Sequence, residues 1–341
     1  MRLLFILKSR EGNWGYASGS SGLANSVRFV VDMLTSHGIE AKAVEVQDNN
    51  CIDREVTAYR PTHVIVEAFW VVPEKFDVLR ALHPRVRWIV RDHSETPFLA
   101  NEGIAFGWTA AYLARGVEVM CNAPRAVGDM QVVASACGHP ETLVTYGPNY
   151  YPTPSGGEIN AKPMPPDVID IGCFGAIRPL KNHMVQAIAA MAFADAAGLS
   201  LRFHVNATRV EGNGSPVLKN LRELFAASRH ELVEHGWQEH ADFLRLMATM
   251  DICMQVSFTE TFNIVAADAM ASSVPVVASS EFPWLGDYAF ADPTSSKGIA
   301  ALLMEIWAES DVARSYRLHR QRRDMVNYNR RSECVWLERF A

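Results

Sequence analysis

Apolar positions along the chain recur in two alternating forms. Short, mostly apolar runs at 3–7, 41–46, 63–67, 87–90, 117–121 and 142–145 read as buried strands. Most are separated by stretches with helical spacing, beginning with 23–37. After a segment rich in Pro, Gly, Ser and Asn the same alternation restarts. It gives strand 168–174, helix 182–197, strand 201–205, helix 215–228, strand 232–235, helix 241–249, strand 251–256, helix 263–271 and strand 274–278. Strand and helix in turn predict an α/β protein with parallel sheets covered on both faces, and ligands in such sheets bind beyond the carboxyl ends of the strands.

The length of 341 residues exceeds one comfortable core, so two domains are expected. The compositional change from Pro148 to Pro166 is the best place for a linker. The chain then divides into a first domain at 1–150, a linker at 151–167, a second domain at 168–310 and a helical segment at 311–341. Residues 312–341 carry eight arginines against three acids, a pattern most simply read as a solvated basic helix face.

Composition changes this picture little. Hydrophobic residues at 49% and charged residues at 21% describe an ordinary globular protein. A formal charge of −6 disfavours a protein that coats nucleic acid over its whole surface, while leaving room for a local basic groove. Six cysteines lie scattered without metal-ligand or Cys-x-x-Cys spacing and are expected to be reduced and buried. No run approaches eighteen apolar residues and the first eight are too short for a signal peptide. A cytoplasmic protein without a membrane span is expected.

Candidate chemistry concentrates in 255–279. Glu260 lies in the loop after a strand, and Asp268 falls eight residues later, in the second turn of the following helix. A helix N-terminus offers unpaired N–H groups and the positive end of a dipole, so the main chain of Phe262, Asn263 and Ile264 can face a phosphate. An acid further along the helix can accept hydrogen bonds from sugar hydroxyls. Gly175, Arg178 and Lys181 lie in the loop after the first strand of the second half, which sets two cations at a strand end.

Together these motifs resemble the Glu-x7-Glu signature of retaining GT-B glycosyltransferases, specifically glycosyltransferase family 4. Glu260 and Phe262 match, as does Pro275-Val276-Val277-Ala278, with Asp268 in place of the second Glu. Thr261 and Asn263 stand where the family commonly has small residues, often Gly. The order Gly175, Arg178, Lys181, Asn182 ahead of the acid pair matches too, whereas Val205-Asn206-Ala207-Thr208 replaces the family's Gly-rich turn.

The resemblance implies a GT-B fold, two Rossmann-like domains with parallel sheets facing a central cleft, in which the last helix crosses back to the first domain. It implies a retaining transfer of a sugar from a nucleoside diphosphate sugar, UDP or GDP, to a hydroxyl, with no metal and no bound cofactor. Arg178 and Lys181 would hold the diphosphate, Glu260 would orient the sugar and Asp268 would hold the ribose. His93, in the loop after strand 87–90, would reach the sugar, with Asp92 and Glu95 as acceptor-side contacts. Trp237 either stacks on the base or packs beneath its loop. Gly19, Ser20 and Ser21 fall in a Gly/Ser-rich loop expected on the acceptor side. The acceptor stays open among glycan, lipid, small molecule, protein and a hydroxymethylated base of viral DNA. A non-catalytic nucleotide-sugar-binding protein and a GT-B epimerase are the alternatives.

Overall fold

A computed structural model describes residues 1–9, 22–153 and 161–341. The candidate acceptor-side residues Gly19, Ser20 and Ser21 lie outside the described residues. The chain forms two compact units, one of Met1–Pro152 together with Asn329–Ala341 and one of Thr153–Tyr328.

The first unit runs β1 (Arg2–Lys8), α1 (Gly22–Ser36), β2 (Glu40–Val46), α2 (Ile52–Tyr59), β3 (His63–Glu67), α3 (Lys75–Leu82) and β4 (Arg87–Asp92). It continues through α4 (Thr96–Leu99), α5 (Ala105–Ala114), β5 (Glu118–Cys121), α6 (Pro124–Ala136) and β6 (Val144–Tyr146). Its strands form one sheet in the order β2-β1-β3-β4-β5-β6, every pair parallel. Alternation along the strands sorts the apolar residues onto two faces. Leu4, Ile6, Val64, Val66 and Val90 pack under one helical layer, and Leu3, Phe5, Leu7, Ile65 and Ile89 pack under the other.

The second unit contains β7 (Val168–Gly172), α7 (His183–Ala197), β8 (Ser200–Asn206), α8 (Gly214–Ala226), β9 (Glu231–His235), α9 (His240–Met247) and β10 (Ile252–Gln255). There follow α10 (Ile264–Ala271), β11 (Val276–Ala278), α11 (Ser296–Ala308) and α12 (Asp311–Phe340). The five strands are again all parallel, in the order β11-β10-β7-β8-β9. Both sheets of the α/β expectation are therefore present.

Two expectations need correction. Strand 168–174 stops at Gly172, because the chain turns through Gly175 at φ +112°, a conformation that glycine alone adopts readily. The cysteines are not uniformly buried: Cys121, Cys173 and Cys253 are, but Cys137, just past the end of α6, and Cys334, on α12, are exposed. Among the described residues no helix is long and apolar enough to cross a membrane.

Candidate functional site

In the second unit the loops at the carboxyl ends of β7 and β10 bring their charged residues together. Lys181 sits in a single 3-10 turn, Pro179–Lys181, and Asn182 closes it at φ +60°. The Asn182 amide fixes this turn by donating to the Val256 carbonyl at 3.0 Å and the Pro293 carbonyl at 2.8 Å. Lys181 Nζ then donates to Glu260 Oε1. Both residues are largely buried. Burial draws the Lys181 ammonium below its usual range and Arg178 adds to this, while the Glu260 carboxylate opposes them.

Asn263 organises the start of α10. It stands at φ +62°, caps the helix by accepting from the Ala266 N–H at 3.0 Å, and donates through Nδ2 to Glu260 at 2.9 Å and Gln255 at 2.8 Å. Gln255 in turn donates to the Phe174 carbonyl at 3.0 Å. Asn at the usual Gly position is thereby explained, since Asn tolerates the left-handed backbone and adds a cap. With Ala266 capped, helix geometry leaves the N–H groups of Ile264 and Val265 as first-turn donors for a ligand. A Cβ added at Gly175 would lie 4.0 Å from Val265, so the β7 loop adjoins this helix start.

Other expected residues take more specific places. The Phe262 side chain is core, packed on Trp284 and Tyr328 with its carbonyl accepting from Trp284 Nε1 at 2.7 Å, so only its N–H side can serve a ligand. Arg178 is part-exposed, with Nη1 3.9 Å from Glu211, the outer limit of an ion pair. Trp237 hangs from the Thr208 hydroxyl through its own N–H at 2.9 Å, and the Arg209 guanidinium lies 4.6 Å from its ring. Asp268 is buried and accepts from His240 Nε2 at 2.7 Å.

Sequence reading missed His240, Asn206 and His183. Asn206 ends β8 and accepts from the Gly175 N–H at 2.9 Å, so the turn lacking glycines instead holds the neighbouring loop. His183 opens α7 with a buried ring that burial, Lys181 and Arg178 bring down to a pKa of about 3, so it is neutral beside the two cations. Direct succession to Lys181-Asn182 was the available signal for His183, and position after the Gly236-Trp237 loop for His240.

In the first unit the end of β4 carries the other predicted group. His93 Nε2 donates to Glu67 at the end of β3, and Asn122 Nδ2 lies 3.3 Å from His93 Nδ1. Burial lowers the His93 pKa and Arg91 adds to it, against the pull of Glu67, which makes the neutral imidazole the resting form. Arg91 is fully buried, donating to the carbonyls of Gly147 and Pro148 at 3.0 and 2.9 Å and to Asn149 Oδ1 at 2.7 Å. Asp92 accepts from the Ser94 N–H at 3.0 Å, and burial raises its pKa to about 8. Glu95 is also buried, 3.5 Å from Arg125. Glu67 was legible only as the acid ending a strand.

Among the described residues no cluster of His, Cys, Asp and Glu has the arrangement of a metal site. Residues 169–289 match the family model described as Glycosyl transferases group 1. Among curated proteins none matches the chain. Similar solved structures include Anabaena HepE in complex with UDP, at 15% identity and TM-score 0.61 over 97% of this chain and 98% of that one. Another is a UDP-forming α,α-trehalose-phosphate synthase from Burkholderia vietnamiensis, at 12% identity and TM-score 0.69 over 100% and 96%. A third is sucrose-phosphate synthase from Thermosynechococcus elongatus, at 15% identity and TM-score 0.68 over 99% and 98%. Residues 169–289 are thus similar to the group 1 glycosyltransferases, and the chain as a whole has the GT-B fold.

Proposed function

We propose that the protein is a retaining, metal-independent glycosyltransferase that moves a sugar from a nucleoside diphosphate to a hydroxyl acceptor. The observation that carries this reading is the convergence of Lys181, Arg178, Glu260 and the start of α10 at the strand ends of the second unit. Lys181, Arg178 and the Ile264 and Val265 N–H groups are fixed donors for a diphosphate. Glu260, held by Asn263, is an acceptor for sugar hydroxyls. The similar structure of HepE in complex with UDP and that of a UDP-forming synthase add support for a nucleotide-sugar donor.

In the reaction the bond from sugar C1 to the phosphate oxygen breaks as the bond from C1 to the acceptor oxygen forms on the same face. The acceptor proton passes to the departing phosphate oxygen. Charge accumulates on the diphosphate, where Lys181 and Arg178 stabilise it, so the role of the protein is electrostatic and positional. His93 keeps the sugar-ligand role that the family resemblance gives it, and Asp92 and Glu95 the acceptor side.

The test is turnover of a panel of nucleoside diphosphate sugars with and without excess chelator, for the native chain and for Lys181→Ala and Arg178→Ala. Each variant is expected to lose on the order of a hundredfold or more, as for other preorganised charge contacts. Chelator is expected to change nothing. Near-native rates in both variants, or loss in chelator restored by magnesium or manganese, would overturn the proposal.

A further inference from the structure

We propose that the first unit carries a ligand site of its own, for a small phosphate-bearing molecule, in a cavity at the amino ends of its strands. The cavity has a volume of about 550 Å³, within the range of small-molecule sites. Arg87 and Trp88 open β4, Glu118 opens β5 and Leu143 immediately precedes β6; all four line the cavity, together with Arg80 of α3 and His83. His93 follows the opposite, carboxyl end of β4, and the donor loops belong to the second unit. Neither contributes a residue to this lining.

The charge of the lining names the ligand. His83 Nε2 is engaged with Asp53 Oδ1 at 2.7 Å, and the Glu118 carboxylate is answered by Arg339 and by the Thr145 hydroxyl. Arg80 and Arg87 are exposed, and neither has a carboxylate partner among the described residues. The Arg80 guanidinium donates to the Arg115 carbonyl and lies over Gly116, where an added Cβ would be 3.7 Å from Nη2. On β3, His63 pairs with Arg87; burial, and after it the charges of Arg87 and Arg339, bring its pKa down to about 4, so the ring is neutral and adds no charge. Two unanswered guanidinium groups match a phosphate monoester, which carries about −1.5 to −2 at pH 7 and accepts forked hydrogen bonds. A single carboxylate would leave one of them unanswered. Trp88, 3% exposed, adds an indole N–H with no hydrogen-bond partner among the described residues, which native folds rarely leave in place.

Titration calorimetry with glycerol 3-phosphate, inorganic phosphate and acetate tests this. Both phosphates are expected to bind the native chain, and acetate about tenfold more weakly, as for the loss of one charged contact. Arg80→Ala and Arg87→Ala should each weaken glycerol 3-phosphate about tenfold or more. Arg87 holds no other side chain among the described residues, so its variant should keep the native melting temperature and guards against misfolding. Binding should persist in a chain carrying both Arg178→Ala and Lys181→Ala, which lacks the cations of the donor loops. Glycerol 3-phosphate should also change the tryptophan fluorescence of the native chain, and that change should vanish in Trp88→Phe. The inference is overturned by no binding of either phosphate, by native affinity in both single arginine variants, or by a fluorescence change that persists in Trp88→Phe. Binding lost in the Arg178 and Lys181 double variant but kept in Arg80→Ala and Arg87→Ala would overturn it by placing the phosphate in the donor loops. Acetate bound as tightly as glycerol 3-phosphate would overturn the assignment to phosphate.

Discussion

Lys181 and Glu260 satisfy each other, so a diphosphate that takes the ammonium must compete with the carboxylate. Removing the charge of that carboxylate should favour the free nucleotide and harm the reaction. Glu260→Gln is therefore expected to bind nucleoside diphosphate several-fold more tightly by calorimetry, while turnover falls on the order of a hundredfold or more for want of the sugar contact. Weaker nucleotide binding in this variant would show that the ion pair does not hold Lys181 back. Asp92 offers a second measurement. Its native pKa of about 8 lies above the ordinary 3.8, so the folded chain binds the extra proton and stability falls as pH rises from about 4 to about 8. Asp92→Asn removes that titration and retains an oxygen for the Ser94 N–H. Its melting temperature should gain on the native chain more at pH 8 than at pH 5; a pH-independent difference would refute the assignment. The motif residues were legible in the sequence because they recur at fixed spacing along one segment. Glu67, Asn206 and His240 were not, because their partners arrive from elements distant in sequence.

The start of α10 shows why elements were easier to read than their ends. Short apolar runs located all eleven strands, since a strand of a parallel sheet covered on both faces is buried on both sides and reads as a mostly apolar run. The order β2-β1-β3-β4-β5-β6 left no such mark, because it depends on where each crossover helix packs. Strand 274–278 begins two residues late, at Val276, where Pro275 has no N–H for the ladder. Asn263 was legible as an approximate helix start, but not its backbone at φ +62°. That angle gives a prediction for the element. Asn263→Gly loses the cap and the bonds to Glu260 and Gln255 but accepts the backbone, at a cost of about 1 kcal/mol. Asn263→Ala loses the same bonds and adds left-handed strain, about 1–2 kcal/mol more. Urea denaturation should rank native above Gly above Ala, and equal stability of the two variants would show that the side-chain bonds alone matter.

At the scale of the whole molecule, the first unit is built from both ends of the chain. Residues of α12 up to Tyr328 belong to the second unit and those from Asn329 to the first. The excess of arginine in this segment reads as a solvated face, yet Arg314 and Arg317 are buried, Arg317 bridging Glu305 and Glu309. What the basic pattern hid is the apolar stripe beneath it. Trp336 and Phe340 lie four apart and both are buried against Phe5 and its neighbours. Trp336 Nε1 donates to the Pro148 carbonyl at 2.8 Å, and the Arg91 guanidinium lies 5.2 Å from its ring. Arg91 holds the same carbonyl and lies 3.6 Å from Glu67, the partner of His93. The end of the chain therefore supports the buried polar group beside β4. Trp336→Ala should cost about 3–5 kcal/mol, the range for emptying a large aromatic site, and should loosen the first unit selectively. Amide hydrogen exchange should quicken in β1, β3 and β4 and stay native in β7, β8 and β10. Trp336→Phe loses the hydrogen bond but fills most of the space, and should fall between. Equal quickening in both sheets would mean that α12 stabilises the chain globally, and none at all would leave Trp336 without the supporting role its contacts give it.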